Sequence, residues 1–230
     1  LDADLLLGSD ARPRLPSGQP LGQDTNAAYL VQGSPFDFWR YDKRRLVPFG
    51  EYVPRGFRWL VPGKLTVGET DYVAGQALPV LDWPSAHPPD APPSSQPQLL
   101  PLRLGLAICF ESILPGHFRQ AVQAGAGVLV TLANDAWLTP AAALQHLHLS
   151  TLRALELGRP LLFVANGGYS AALDPWGRGP RLPPGRMVLR VPVRLAEGET
   201  TLLRFGHGPL ALLLIAQLAL ALVWGWRKRR

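Results

Sequence analysis

The sequence predicts an α/β domain with sandwiched β-sheets over residues 1–206, followed by one apolar helix. Three patterns support this. Apolar runs of strand length recur along the chain and several end in polar turns, as buried strands of a parallel sheet do. Stretches of helical length alternate with these runs. A final run at 208–226 carries no charged residue.

The first half of the chain predicts mainly strands. Residues 4–8 have the pattern of the end of a buried strand, and a loop rich in Pro, Gly and Ser follows at 9–25. Gly33-Ser34-Pro35 separates two further strand patterns, which indicates a hairpin. Six prolines between 82 and 98 exclude helix or central strand, so a surface loop is expected before a strand at 98–110.

The second half predicts helices between buried strands. We expect helices at 115–124 and 140–157, with Gly158 ending the second. Buried strands are expected at 127–133 and 161–166, and residues 167–174 are predicted to pair with 187–193. The polar turn 134–137 follows a strand, a usual place for a site in an α/β sheet.

The net charge of +6 does not indicate a nucleic-acid-binding protein. Arg227, Lys228, Arg229 and Arg230 supply four of these charges, which leaves about +2 for the rest. The chain does not begin with Met, and we expect it to be a piece of a longer protein.

The apolar run at the C-terminus predicts a transmembrane helix at 207–226. The nineteen uncharged residues at 208–226 would span roughly 28 Å as a helix, about the hydrocarbon thickness of a bilayer. Trp224 and Trp226 would lie at the interface, and the basic tail 227–230 is expected in the cytoplasm. The main domain would then lie on the outer, periplasmic face.

Cys109 is the only cysteine, so an internal disulfide is excluded and a structural zinc site is not expected. It is either a buried thiol or a nucleophile, and a nucleophile needs a base or cation nearby. No histidine is predicted in that role. His146 and His148 lie two apart on a helix and face different directions, while His87, His117 and His207 are expected in loops or caps.

Lys43 and Glu51 are the better partners for a catalytic thiol. Lys43 precedes two arginines, so a solvated basic turn is one interpretation. The segment after it contains two prolines and a glycine among apolar residues that must pack, which would bury Glu51. A buried carboxylate needs a cation, and Lys43 is the near one.

Five segments occur in a characteristic order. These are 41–54 (Tyr-Asp-Lys-Arg-Arg-Leu-Val-Pro-Phe-Gly-Glu-Tyr-Val-Pro), 108–111 (Ile-Cys-Phe-Glu), 134–137 (Asn-Asp-Ala-Trp), 153–160 (Arg-Ala-Leu-Glu-Leu-Gly-Arg-Pro) and 174–177 (Asp-Pro-Trp-Gly). Together with Gln145-His146 ahead of 153–160 and Asn166-Gly167 before 174–177, the set resembles the nitrilase-type domain of the apolipoprotein N-acyltransferase family, from about Leu5 to the C-terminus.

The resemblance implies an α-β-β-α sandwich with a Glu-Lys-Cys triad. It makes Cys109 the nucleophile and Lys43 the cation that stabilises the tetrahedral intermediate, with Glu51 and Glu111 as supporting residues. The implied reaction transfers an acyl chain from a membrane phospholipid to the amino-terminal diacylglyceryl-cysteine of a lipoprotein, through a thioester, at the bacterial inner membrane. It implies neither a metal nor a cofactor.

The sequence departs from the family at one position of the triad. The family's general base is a glutamate in a Pro-Glu-Thr-like segment upstream of the position that Leu5 matches, and the bundle of N-terminal membrane helices also lies upstream. We therefore expect an N-terminally incomplete domain that is inactive alone. The alternatives are an amidase of the same superfamily acting on a small metabolite, and a non-catalytic membrane-tethered remnant.

Overall fold

The structure is a computed structural model that describes residues 4–11, 24–32, 34–57, 59, 71–83, 102–196 and 198–227. A three-stranded antiparallel sheet is built from β1 (Leu5–Ala11), β2 (Thr25–Gln32) and β3 (Ser34–Asp42) in that order. The predicted hairpin is therefore confirmed as β2–β3. β1 is the edge strand of this sheet among the described residues, and most of its residues are exposed or half-buried rather than buried as expected.

The second sheet has six strands in chain order. They are β4 (Val80–Trp83), β5 (Leu102–Ile108), β6 (Val128–Asn134), β7 (Leu161–Asn166), β8 (Ser170–Leu173) and β9 (Arg181–Leu182). The central strands β5, β6 and β7 are parallel, and the flanking strands are antiparallel to their neighbours. The loop predicted at 82–98 begins later than expected, since Asp82 and Trp83 belong to β4. Residues 84–101 lie outside the described part.

The predicted pairing of 167–174 with 187–193 is wrong. β8 pairs instead with β7 and with β9, and the described segment 187–193 forms no strand. A tight turn after β8 explains this. Asp174 Oδ1 accepts hydrogen bonds from the backbone N–H groups of Trp176 and Arg178. The turn sends the chain straight back to pair at 181–182, so the position beside β8 is already filled.

Two long helices cover the outer face of the second sheet. They are α1 (Pro115–Gln123) and α2 (Pro140–Leu157), and both were predicted. The hydroxyl of Thr139 caps the start of α2 by accepting from the Ala142 N–H. Gly158 ends α2 with a φ of 62°, the left-handed conformation that glycine adopts without a Cβ clash.

Two hydrophobic cores separate three layers. One core lies between the sheets, where Leu30 and Tyr41 of the first sheet pack with Leu106 and Val130 of the second. The other lies between the second sheet and the helices. Alternate residues of β6 contribute side chains to the two cores, because successive side chains of a strand point to opposite faces. The described residues thus form β-β-α layers. The outer helical layer of the expected α-β-β-α sandwich is not among them.

Two further helices follow near the C-terminus. The short α3 (Thr201–Phe205) is tied to the domain through its buried Leu203, whose carbonyl accepts from the Arg119 guanidinium. α4 (Gly208–Arg227) comes next and carries exposed leucines. Within the described residues, none of the helices combines the length and the apolar character needed to cross a membrane. The predicted transmembrane span is therefore not supported.

The core between α2 and the second sheet should dominate stability. Leu147 of α2 is fully buried there. Leu147→Ala should lower the free energy of unfolding by about 2–5 kcal/mol, measured by urea denaturation, because it removes apolar contacts and leaves a cavity. Leu152→Ala on the same helix is the matched control. This side chain is exposed, so a change within about 0.5 kcal/mol is expected. Equal losses in both variants would contradict the layer arrangement.

Candidate active site

The candidate site lies where the central parallel strands end. Cys109 directly follows β5, and Asp135 directly follows β6. Because parallel strands end at one edge of a sheet, residues distant in sequence meet there. Lys43 follows β3 of the first sheet, and its ammonium lies close enough to Cys109 for its charge to act on the thiol.

Cys109 occupies a strained backbone position. Its φ is 50°, in the left-handed region that costs a non-glycine residue roughly 1–2 kcal/mol. It begins a 3₁₀ turn, Cys109–Ile113, which reverses the chain at the strand end. The Ser112 hydroxyl donates to the Cys109 carbonyl oxygen at 2.8 Å and so supports the turn. Strain of this kind at a strand end is common where a reactive side chain is presented.

Lys43 and Glu51 form a buried ion pair. Lys43 is only 1% exposed, and its Nζ lies 2.8 Å from Glu51 Oε1. Glu51 also accepts from Asn26 Nδ2 at 3.0 Å and from the Val47 N–H at 2.8 Å. The pairing inferred from the sequence is present, and the solvated basic turn is excluded for Lys43. The catalytic role of either residue stays a prediction.

The carboxylate of Glu111 connects the segment that follows β3 to the turn that follows β5. It is fully buried and accepts hydrogen bonds from both parts of the site. Its donors are the Tyr41 hydroxyl and the backbone N–H groups of Arg44, Arg45 and Ile108, at 2.7–3.0 Å. Burial, together with this carboxylate, raises the pKa of Tyr41 well above its usual value, so the phenol stays a donor.

The environment of Cys109 favours the neutral thiol. Burial raises its pKa, and the nearby Asp135 and Glu51 carboxylates act in the same direction. The Lys43 ammonium and the Phe110 backbone N–H oppose them by stabilising the thiolate, but the pKa remains raised. The thiol therefore needs a proton acceptor before it can attack.

His146 belongs to the site, contrary to the expectation from the sequence. It is buried on α2, and its Nδ1 lies 3.0 Å from Asp135 Oδ1. Its Nε2 lies 3.0 Å from Ser112 Oγ and 3.2 Å from the Cys109 carbonyl oxygen. His148 is exposed, so the two histidines do face different directions. The signal that could have identified His146 is the Gln145-His146 pair of the family resemblance, which lies on the helix that carries the buried Ser150 one turn later.

Cys109, Asp135 and His146 each place one potential metal-ligating atom within 4.8 Å of the others. Both nitrogens of the imidazole already contact protein oxygens, so the ring has no nitrogen left for a metal. The cluster is therefore better explained as a hydrogen-bond network than as a metal centre.

His117 is also buried rather than capping or solvated. Its Nε2 donates to the Leu106 carbonyl at 2.8 Å, and burial lowers its pKa. The same Nε2 lies 3.7 Å from Glu111 Oε2, so the imidazole packs beside the buried carboxylate.

Glycines let two loops meet behind the site. A Cβ on Gly168 would lie 2.7 Å from the Asp135 Cβ, and one on Gly167 would lie 2.6 Å from the Ala136 Cα. Real Cβ atoms do not approach so closely. The Asn166-Gly-Gly sequence is therefore required for the turn after β7 to pack against the turn that carries Asp135.

An apolar cavity of about 290 Å³ opens beside Cys109. Its walls include mostly aliphatic and aromatic side chains. They are Val47, Phe110, Ile113, Trp137, Leu138, Ala142 and Leu149. Apolar walls next to a thiol suit a substrate whose reactive carbonyl carries a hydrocarbon chain.

Residues 13–179 match the carbon-nitrogen hydrolase family. The chain belongs to this family. An apolipoprotein N-acyltransferase of Geobacter metallireducens is 34% identical over 184 residues, which are 79% of this chain and 32% of that protein. One of Bordetella bronchiseptica is 36% identical over 200 residues, 83% of this chain and 34% of that protein. These relatives confirm the resemblance inferred from the motifs. This carbon-nitrogen hydrolase chain spans about a third of the length of the curated relatives it matches.

Solved structures of the nitrilase superfamily show the same fold. An amidase from Nesterenkonia sp. superposes with a TM-score of 0.51 at 18% identity, covering 79% of this chain and 57% of that chain. A mutant of that amidase, with the same TM-score, carries the acetamide moiety of fluoroacetamide covalently added at its active site cysteine. The nitrilase-like α/β fold of this carbon-nitrogen hydrolase family member is thus confirmed.

The charge of Lys43 should control the reactivity of Cys109. Lys43→Met removes the cation that stabilises the thiolate, so the pKa of Cys109 should rise and the rate of iodoacetamide alkylation at neutral pH should fall. The pH–rate profile checks this, and its midpoint should move to higher pH. Cys109→Ser measures the background, since the chain has no other cysteine. Lys43→Arg keeps the positive charge and should shift the midpoint less. An unchanged profile for Lys43→Met would contradict the proximity of the two groups.

Proposed function

We propose that Cys109 carries an acyl group as a thioester between a membrane phospholipid and the amino-terminal diacylglyceryl-cysteine of a lipoprotein. The observation that carries this proposal is the buried Lys43 ammonium beside the Cys109 thiol, next to an apolar cavity. The relatives named apolipoprotein N-acyltransferase support the choice of reaction.

The proposed chemistry has two half-reactions. The thiolate attacks the ester carbonyl of the phospholipid, the ester C–O bond breaks, and the lysophospholipid leaves with a proton. The lipoprotein amine then attacks the thioester, an amide bond forms as the C–S bond breaks, and a proton lost by the amine regenerates the thiol. Lys43 has three N–H donors, and its contact with Glu51 uses one. A second donor would stabilise the oxyanion in each half-reaction.

The proton acceptor is proposed to be a further carboxylate. Each carboxylate described near Cys109 is already engaged with other groups of the protein. Glu51 accepts from Lys43, Glu111 from the Tyr41 hydroxyl and from backbone N–H groups, and Asp135 contacts His146. We therefore expect residues 1–230 alone to show little turnover, in line with the upstream glutamate that the resemblance implies.

We propose that α4 holds the catalytic domain at the outer face of the bacterial inner membrane. Its leucines at 210, 212, 213, 214, 218 and 220 are each more than half exposed. Exposed apolar surface of this kind is stabilised by contact with lipid. α3 is fixed to the domain through Leu203, so the junction at 206–207 separates the predicted domain 1–206 from the helix.

The thioester is tested by trapping it. The protein is expressed from its native gene and incubated with labelled phospholipid in membranes without lipoprotein. We expect a label on Cys109 that hydroxylamine removes, because hydroxylamine cleaves thioesters. Cys109→Ser should give no hydroxylamine-sensitive label, and Lys43→Ala should slow loading by at least about 10²-fold, the scale of losing one oxyanion donor. Full lipoprotein acylation by Cys109→Ser would exclude the proposed nucleophile.

Membrane attachment is tested by placing charge on α4. The double substitution Leu213→Asp and Leu214→Asp costs about 2.5–3.5 kcal/mol per residue in an apolar membrane environment. In residues 1–230 expressed without the upstream membrane helices that the resemblance implies, it should move the protein from the membrane fraction to the supernatant after a carbonate wash. The matched control is Val188→Asp, at a fully exposed position of the domain, which should leave the distribution unchanged. Retention of the double variant in the membrane fraction would refute attachment through α4.

A further inference from the structure

We propose that His146, held by Asp135, is a positioning residue that donates from Nε2 to the Cys109 carbonyl and keeps the thiol beside Lys43. The inference rests on the proposed function only in taking Cys109 as the nucleophile. It gives a role to two buried groups that the acyl-transfer chemistry above does not use.

The first step of the argument is the strain at Cys109. A φ of 50° is unfavourable for a residue with a Cβ, so surrounding contacts must hold the conformation. Two side chains approach the Cys109 carbonyl oxygen, the Ser112 hydroxyl at 2.8 Å and His146 Nε2 at 3.2 Å. Both contacts restrain the peptide group immediately after the Cα that bears the thiol.

The second step is the placement of hydrogens. A carboxylate and a carbonyl oxygen only accept hydrogen bonds. Nδ1 therefore donates to Asp135, which is fully buried and fixes the ring orientation. Ser112 Oγ has one hydrogen and three neighbours: the Cys109 carbonyl oxygen at 2.8 Å, Ser150 Oγ at 2.7 Å and Nε2 at 3.0 Å. We assign this hydrogen to the Cys109 carbonyl oxygen. With this assignment Nε2 carries a hydrogen and donates to the Cys109 carbonyl and to Ser112 Oγ, so the ring is an imidazolium paired with Asp135.

The third step separates positioning from proton transfer. A general base would accept the thiol proton through an unprotonated nitrogen. The hydrogen bonds of His146 instead place a donor on each nitrogen and direct Nε2 to the carbonyl oxygen of Cys109. The Asp135 charge also acts against thiolate formation, since it raises the pKa of Cys109. The charges of the imidazolium and of Asp135 offset each other, so the pair contributes geometry, whereas the Lys43 ammonium stabilises the thiolate.

The test uses iodoacetamide alkylation of the single cysteine in residues 1–230 at fixed pH. Glutamine can place an amide N–H near the position of Nε2, whereas asparagine reaches only the position of Nδ1. We expect His146→Gln to alkylate within about threefold of the unsubstituted chain. His146→Asn and His146→Ala should be slower by about tenfold, the scale of losing one hydrogen bond. His148→Gln, on the exposed side of α2, should alkylate at the unsubstituted rate.

Each outcome decides the proposal. Equal rates for all His146 variants would overturn positioning. His146→Gln as slow as His146→Ala would also overturn it, since that result indicates a proton-transfer role. An unfolded variant alkylates faster than the folded chain, because burial no longer raises the pKa of Cys109, so misfolding has the opposite sign. If His146→Ala unfolds, the ratio of the Gln and Asn rates decides alone.

This experiment is independent of the acyl donor and acceptor. Iodoacetamide alkylation needs neither phospholipid nor lipoprotein. If thioester loading fails while the alkylation series holds, the proposed reaction is wrong and the positioning role stands. If loading succeeds and the series fails, the positioning role alone is wrong.

Discussion

The buried carboxylate of Glu111 is the interaction on which the site depends. It belongs to the turn after β5 in the second sheet, and it accepts from the backbone of Arg44 and Arg45 after β3 in the first sheet. A charge-assisted hydrogen bond contributes about 1.5–3 kcal/mol, and a buried carboxylate without donors is strongly destabilising. Glu111 thus holds the segment that carries Lys43 against the turn that carries Cys109. Without this link, hydrophobic packing between the sheets would leave the distance between ammonium and thiol poorly defined.

The environment of Cys109 favours the neutral thiol over the thiolate. Burial and two carboxylates, Asp135 and Glu51, raise the pKa of Cys109, while the Lys43 ammonium stabilises the thiolate. Each carboxylate in turn has its own cation or donor set, so none is a bare buried charge. Such a thiol resists adventitious alkylation and oxidation, and it becomes a nucleophile when a base removes its proton. This agrees with the proposed thioester chemistry beside an apolar cavity.

Many elements of the fold could be predicted from the sequence, because their conformation depends on residues close together in the chain. Gly158 ends α2 since only glycine adopts its φ without strain, and Thr139 and Pro140 begin the helix for equally local reasons. The β2–β3 hairpin follows from a short turn between alternating runs. The Lys43–Glu51 pair was also accessible, because the intervening prolines and glycine force a compact loop that buries a carboxylate near the one adjacent cation. The pairing partner of β8 was not accessible, since it depends on the turn held by Asp174 rather than on the apolar pattern of 187–193.

The sequence by itself determined the strand–turn–helix order, the single thiol at a strand end and the pairing of Lys43 with Glu51. Each of these follows from residue type and spacing along one segment. Only the tertiary structure decided that Glu111 joins the two sheets, that His146 contacts the Cys109 carbonyl and that Asp135 orients the imidazole. These contacts join residues from separate strands and from α2, and their geometry is set by how parallel strand ends converge at one edge. No local propensity encodes that convergence, because the sheet forms only when all its strands pack together.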